Sequence, residues 1–282
     1  MNILIADPAK NITVFVLDTA GDPAKRAELA REILTDSGIN AEQVGFVIPP
    51  ASPAGTPGAG PDTALWRLEM AGGEFCGNAA RAFGLYVARQ QGLRGKAKLM
   101  VSVSGAAGPV TVEVDVKNSR AAAEMPKPIL VDTLDFQGGS LPVLVFEGIT
   151  HVIAPDLEPK QEAKRETFFA IKGALEKKLA ASTGALPEAI GVMFYDTASR
   201  FMRPAVHVRS LDSMVFESSC GSGSAAMGVW LSRELEDGAA QYSIHQPGGV
   251  IETEVIKRAG RIVRITIGGE VKLGDVKEFH KH

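Results

Sequence analysis

The chain predicts an α+β fold of two pseudo-symmetric lobes, and three observations carry that expectation. Its only two cysteines, Cys76 and Cys220, open matching motifs, GGEFCGNAARAFG and ESSCGSGSAAMG. Alanine recurs six residues after each cysteine, at Ala82 and Ala226, and glycine eight after, at Gly84 and Gly228. The cysteines stand about half the chain apart, and each is followed by an Ala-rich stretch that reads as helix and framed by alternating stretches that read as strands. At 282 residues the chain is long for a single core, so two domains are expected. The break is placed at MPKP, giving lobes 1–127 with Cys76 and 128–282 with Cys220, the last strand free to return to the first lobe.

In chain order, ITVFVLD from Ile12 to Asp18 alternates β-branched and aromatic residues as a strand should. Asp22-Pro23 then offers an N-cap and a first-turn proline for an amphipathic helix ending near Ser37-Gly38. A strand from Gln43 to Ile48 leads into a Pro/Gly-rich loop, Pro49 to Asp62, read as an exposed tip or a mobile cover near a site. Trp66 to Met70 is the strand before the first cysteine loop, and the helix after Cys76 runs to about Gln91. Strands at Lys98 to Ser104 and Gly108 to Val116 complete the half. The second half repeats this grammar. Strand-like LPVLVFEGITHVIAP precedes a helix from about Lys160 to Ala181, with strands near Ile190 to Tyr195 and Pro204 to Arg209. The helix after Cys220 is expected to reach about Glu236, and strands at Tyr242 to His245, Gly249 to Lys257, Arg261 to Ile267 and Val271 to Lys277 close the chain. Many strands and few helices per half give a mostly antiparallel sheet with one central helix in each lobe.

Composition excludes several classes. A net charge of −3, without Lys/Arg clustering, argues against nucleic acid as a partner. No apolar run approaches the roughly 18–20 residues of a membrane span, and the N-terminus lacks the pattern of a signal peptide. The expected setting is the cytoplasm, where thiols stay reduced, so a structural disulfide is disfavoured. Zinc is disfavoured as well: there is no CxxC pair or HxxxH, and a closed site needs four ligands. No metal or other cofactor is expected.

A thiol at a helix N-terminus lies near the positive end of the macrodipole, which can lower its pKa from about 8.5 to roughly 3.5–7.5. Glycine after the cysteine lets backbone approach a ligand closely. The N–H groups of Gly77-Asn78 and Gly221-Ser222 can hold an anion such as a carboxylate. Two such thiols facing one α-amino acid would supply a base on one face of Cα and an acid on the other. That is the chemistry of inverting a stereocentre without a cofactor.

The pattern CGN–x–x–R at Cys76 to Arg81, with CGSG at Cys220 to Gly223 and PGG at Pro247 to Gly249, resembles the diaminopimelate epimerase superfamily of two-cysteine isomerases. The resemblance spans nearly the whole chain. It implies lobes that each wrap strands around a central helix, a site between the halves, and Cys76 and Cys220 as catalytic residues. Asn11 and Gln43 match polar site positions of that family and are candidate substrate contacts alongside Gly77, Asn78, Gly221 and Ser222. Other family positions depart. An Asn before the first cysteine falls on Met70, Asn-Pro-His becomes Ile149-Thr150-His151, a further Asn aligns with Ala189, and a Glu-Arg pair falls on Leu211 and Asp212. Those polar residues grip amino acid head groups, and a buried carboxylate left unpaired is costly. DPAKN, EQVGF, GGEFCGN, ESSCGSG and HQPGG together resemble more closely the histidine racemases of staphylopine-type metallophore pathways, which implies L-histidine as substrate and D-histidine as product.

Other residues carry milder readings. Glu74 and Glu217 precede the cysteines and complement the helix N-termini or meet a substrate ammonium. His245 reads as a hydrogen-bonded structural residue rather than a base, and Arg81 as a surface or interlobe ion pair. The competing functions are a phenazine-biosynthesis-like isomerase, which lacks the cysteine pair, a redox protein cycling a Cys76–Cys220 disulfide, and an amino acid binding protein. Redox pairs are usually close in sequence, unlike these. The expected partner is a small amino acid, with no nucleic acid or membrane, and the chain is compatible with a homodimer.

Overall fold

In the computed structural model of the protein, residues 1–18, 22–51, 65–157, 164–182, 184–210 and 212–280 are described. Most of the Pro/Gly-rich loop, the first residues of the helix expected from Lys160, and Leu211 lie outside them. The chain divides into two compact units, Met1–Met125 with Thr266–His282, and Pro126–Ile265.

In the first unit the order is β1 (Asn2–Asp7), β2 (Thr13–Val16), α1 (Pro23–Thr35), β3 (Gln43–Ile48), β4 (Arg67–Met70), α2 (Gly77–Gln90), β5 (Lys96–Val103), β6 (Val110–Asp115) and β7 (Arg120–Glu124). The second runs through β8 (Leu130–Phe136), β9 (Gly139–Val145), β10 (Ile149–Pro155), α3 (Lys164–Ser182), β11 (Ala189–Asp196), β12 (Phe201–Val208), β13 (Ser213–Phe216), α4 (Gly221–Leu231), β14 (Gly238–Gln246), β15 (Gly249–Arg258) and β16 (Arg261–Glu270). The end of β16, from Thr266, pairs antiparallel with β7. Two short strands, β17 (Lys272–Leu273) and β18 (Lys277–Glu278), then pair with β1.

The two units share one connectivity. An antiparallel pair, β1–β2 or β9–β10, opens it. A helix then carries the chain to a parallel neighbour, β2–α1–β3 or β10–α3–β11. An antiparallel strand follows, β4 or β12. The cysteine helix crosses to a second parallel neighbour, β4–α2–β5 or β12–α4–β14. Antiparallel hairpins dominate the remainder, and the parallel pairings occur where a helix supplies the long crossover they need. The fold is α+β, dominated by mixed sheet with four helices among the described residues.

Burial explains the composition of the cysteine helices. Every residue of α2 from Gly77 to Ala88 is buried, as a helix enclosed on all sides requires. It packs on β1, β5, β6 and β7, while α4 packs on β10, β11, β14 and β15. Close packing of this kind favours Ala and Gly. Any Cβ at Gly84 would overlap Val112 on β6, and any at Gly228 would overlap Thr253 on β15. Ala82 and Ala226 are wholly buried beside them. The shared spacing after each cysteine is therefore a helix–strand contact made twice.

Several elements differ from expectation. Four strands went unread: β1, β7, β8 and β13. Strand β7 reads RAAAE, poor in β-formers, and is selected by pairing with β6 on one side and β16 on the other. Helix α4 stops at Leu231 rather than near Glu236, because the Lys257 ammonium on β15 takes the Ser232 carbonyl at 2.7 Å and the Arg233 carbonyl at 3.5 Å. Expected as one strand, Val271 to Lys277 is broken into two by a turn whose Gly274 N–H bonds the Ile5 carbonyl.

The helix–strand contact is testable. Gly84→Ala and Gly228→Ala should each lower the denaturation midpoint, by about 1–3 kcal/mol in stability, the usual cost of overpacking. Gly95→Ala, where no atom stands within 4 Å of the added Cβ, should stay within about 0.5 kcal/mol.

Candidate active site

In the first unit, the loop between β4 and α2 is braced by the end of β5. Ser104 Oγ accepts from the Met70 N–H at 2.8 Å and donates to the Glu74 carbonyl at 3.2 Å. Gly105, at φ 69°, lies so close to the Glu74–Phe75 backbone that no side chain would fit there. The loop delivers Cys76 as the N-cap of α2, at φ −119° and ψ 112°, its sulfur accepting the Ala79 N–H at 3.4 Å.

The second unit repeats this geometry. Cys220 caps α4 at φ −119° and ψ 115°, its sulfur accepting the Gly223 N–H at 3.3 Å. Here Gln246, at the end of β14, is the brace. Its Oε1 accepts the Cys220 N–H at 2.8 Å, and its Nε2 donates to Ser224 Oγ at 2.9 Å. Ser224 Oγ in turn donates to the Cys220 carbonyl at 2.7 Å. The HQPGG motif thus works through buried Gln246, whereas His245 is exposed rather than built into a hydrogen-bonded core.

The sulfurs have different polar neighbours. Cys76 donates its S–H to Asn11 Oδ1 at 3.9 Å, and Asn11 is oriented by giving its Nδ2 hydrogen to Glu42 Oε2 at 2.6 Å. Gln43 also bonds the Cys76 thiol and leaves its Oε1 buried, with no partner among the described residues. Cys220 instead meets Ser222 Oγ at 3.5 Å and is also hydrogen-bonded to the Glu217 carboxylate, and Ser222 Oγ lies 2.9 Å from Nε2 of buried His151. Asn11 and Gln43 are thus brought to Cys76, and Ser222 to Cys220.

Other candidates are placed differently from expectation. The Asn78 side chain accepts from Arg81 Nε at 3.1 Å. Arg81 is wholly buried and also donates to the Glu270 carbonyl at 3.1 Å, so it is a core residue rather than a surface one. A Cβ on Gly77 would come within 2.5 Å of Met125 Sδ, so packing alone demands glycine there. Met70 is buried in the core around α2. Ile149 and Ala189 are part-buried partners on adjacent strands. Glu74 is exposed and Glu217 part-buried.

Burial reverses the thiol shift expected from the helix ends. Desolvation pushes the Cys76 thiol from 9.0 up to about 11 against the pull of the Ala79 N–H; the Glu74 carboxylate adds to the rise, and Gln43 and the Asn78 N–H oppose it. Cys220 is raised well above its ordinary value, first by burial and then by Glu217, with Ser222 and the Gly223 N–H pulling down. The amides temper the loss of water without outweighing it. Among the described residues, no group of three or more His, Cys, Asp and Glu gathers as a metal site, and no helix is long and apolar enough to cross a membrane.

A protein carrying Cys220→Ser isolates the Cys76 thiol. Its alkylation rate should climb about tenfold per pH unit across neutrality and level off only near pH 11. Because the folded pKa lies above the unfolded one, stability is full below the unfolded value near 8.5 and falls as pH rises toward the folded value. A plateau of alkylation near neutral pH would contradict this.

Over residues 2–276 the chain matches the family described as the histidine racemase CntK N-terminal domain. It is 28% identical over 257 residues to a histidine racemase of Fusobacterium nucleatum, covering 89% of this chain and 88% of that protein. It is 24% identical over 250 residues to the histidine racemase of Staphylococcus aureus, covering 87% and 85%. A predicted epimerase from Pseudomonas aeruginosa shares the fold at a TM-score of 0.65 and 14% identity, with both chains fully covered. The chain belongs to the histidine racemase CntK N-terminal domain family and is an isomerase, an amino acid racemase or epimerase.

Proposed function

We propose that the protein is a cofactor-independent histidine racemase, converting L-histidine to D-histidine for the synthesis of a metal chelator, with Cys76 and Cys220 as its acid–base pair. The observation that carries the mechanism is the duplicated cap: both sulfurs hold the same backbone conformation, each accepting the N–H three residues on. Two equivalent groups can exchange the roles of base and acid, so one protein serves both directions of a racemisation. One sulfur removes the Cα proton as thiolate, and the other returns a proton to the opposite face. The helix N-termini stabilise the carboxylate as negative charge builds on it.

The substrate reading draws on the curated relatives, on Gln43 beside Cys76, and on positions where the sequence departs from the wider superfamily. Gln43 Oε1 is an acceptor awaiting a donor, which an ammonium or an imidazole N–H can supply. Ile149 and Ala189 offer apolar surface where the wider superfamily has amides. A neutral imidazole tolerates such surface. A distal zwitterion does not, because each buried polar group left unpaired costs about 1–3 kcal/mol.

Chiral chromatography after incubation with L-histidine in heavy water should show both enantiomers, with deuterium at Cα. LL-diaminopimelate at equal concentration should react orders of magnitude more slowly. Efficient conversion of LL- to meso-diaminopimelate with histidine untouched would overturn the substrate assignment. Cys76→Ser and Cys220→Ser should each lower racemisation by roughly 10²–10⁴-fold, the usual worth of a positioned acid or base. Either variant turning over at the wild-type rate removes that thiol from the mechanism.

A further inference from the structure

The Cys220 sulfur has a neighbour that the duplicated cap does not explain. Ser222 Oγ stands 3.5 Å from Cys220 Sγ and 2.9 Å from His151 Nε2, so three side chains form one hydrogen-bonded line. The first unit has no such line at the matching position, since Asn78 turns its side chain to Arg81. His151 is wholly buried on β10, its ring edge-on to Phe146. Its partner on β11 is Gly191, and any side chain there would overlap the ring at Nδ1. That nitrogen has no hydrogen-bond partner among the described residues.

These contacts decide where the imidazole proton sits. A neutral ring carries one N–H and one lone pair. What faces Nδ1 is a Cα hydrogen of Gly191, which accommodates a lone pair and crowds an N–H. A buried N–H without an acceptor is also the rarer and costlier defect. The proton therefore lies on Nε2 and is donated to Ser222 Oγ, which leaves the serine hydroxyl hydrogen to turn toward the sulfur. Burial pushes the histidine down to about 3, so the ring stays neutral through the physiological range. We infer that His151 and Ser222 are positioning residues, a directional hydrogen-bond relay that favours the thiolate form of Cys220. The inference deepens the proposed two-thiol mechanism and rests on it for its catalytic meaning. Of the elements packed near the start of α4, β10 contributes His151, β11 contributes Met193 and β14 contributes Gln246; His151 alone of these titrates. Glu217, on the approach to Cys220, is the charged group that opposes the relay.

Cys76→Ser leaves Cys220 as the one cysteine, so carbon-13 placed at cysteine Cβ follows its titration as a single NMR resonance. In that background Ser222→Ala should raise the midpoint enough to lower the thiolate fraction roughly tenfold at a fixed pH below it. His151→Phe should move it the same way, and the two changes together should move it no further than one, because the groups act in series. Ser222→Thr, which keeps a hydroxyl, should restore most of the original midpoint. Nitrogen-15 histidine spectra of the otherwise unaltered protein should show His151 as the neutral Nε2–H tautomer, and this stands even where a variant fails to fold. An Nδ1–H tautomer, or a midpoint unmoved by Ser222→Ala in folded protein, overturns the relay. Deuterium exchange into histidine by the wild type is scored separately: its absence counts against the racemase, while exchange with an unmoved midpoint sinks the relay alone.

Discussion

The sulfur that begins α2, half-buried, and its buried counterpart at α4 must accept amide hydrogens while losing much of their water, and much of each unit is arranged around that requirement. A cap needs an extended residue just before the helix, and both cysteines hold nearly identical extended angles. Holding them there takes a second strand. Ser104 and Gly105 do this at the end of β5, Gln246 at the end of β14. The braces differ in chemistry and agree in place, since β5 and β14 are the parallel neighbours reached after each cysteine helix. Desolvation then dominates the titration of both thiols, because two or three weak hydrogen bonds to sulfur replace less stabilisation than bulk water gives a thiolate.

Enclosing a helix on all sides has its own consequence for composition. A ring of strands can approach only where side chains are small, so α2 and α4 share alanine six residues and glycine eight residues after their caps. The enclosed helix still carries a charge in one unit. Arg81 is accommodated because Asn78 and the Glu270 carbonyl accept from it, and Asn78 is thereby spent on structure. Its counterpart Ser222 has no such duty and is left to bridge Cys220 and His151. The two sites match in backbone and diverge in side chains.

That division explains what the sequence made legible. The spacing after Cys76 and Cys220 reported helix packing directly, and Asp22-Pro23 reported the start of α1, where Asp22 accepts the Ala24 N–H at 3.1 Å. Asn11 and Gln43, picked out by motif, do lie at Cys76. What stayed hidden depended on distant parts of the chain. Strand β7 exists through its partners rather than its alanines. Arg81 reads as a surface residue until Glu270 is folded against it. Gln246 was visible only as part of HQPGG, beside the more conspicuous His245. Most consequentially, a helix N-terminus argues for a depressed thiol pKa, and only the folded surroundings reveal that burial wins.

With both thiols raised, neutral pH favours their protonated forms, and the two-thiol mechanism proposed above calls for one thiolate. In that proposal part of the driving force would arrive with the substrate. A zwitterion brings an ammonium, and a cation within about 4–6 Å lowers an acidic pKa by roughly 1–3 units. Starting from about 11 at Cys76, that shift alone leaves a thiolate in the minority at pH 7. In the same proposal the remainder would come from groups that already pull the thiol pKa values down: Gln43 and two amides at Cys76, Ser222 and the Gly223 N–H at Cys220. These differ in an important respect. Asn11 presents an oxygen to Cys76 and Glu217 presents one to Cys220, each favouring S–H, whereas Ser222, with His151 behind it, can present a hydrogen to Cys220. Glu217 weighs against Cys220 as thiolate and would cease to do so once an ammonium neutralised it. Under the proposed mechanism, substrate charge would then relieve the second of the obstacles at Cys220, burial being the first, and the reactive base would form as the ligand binds.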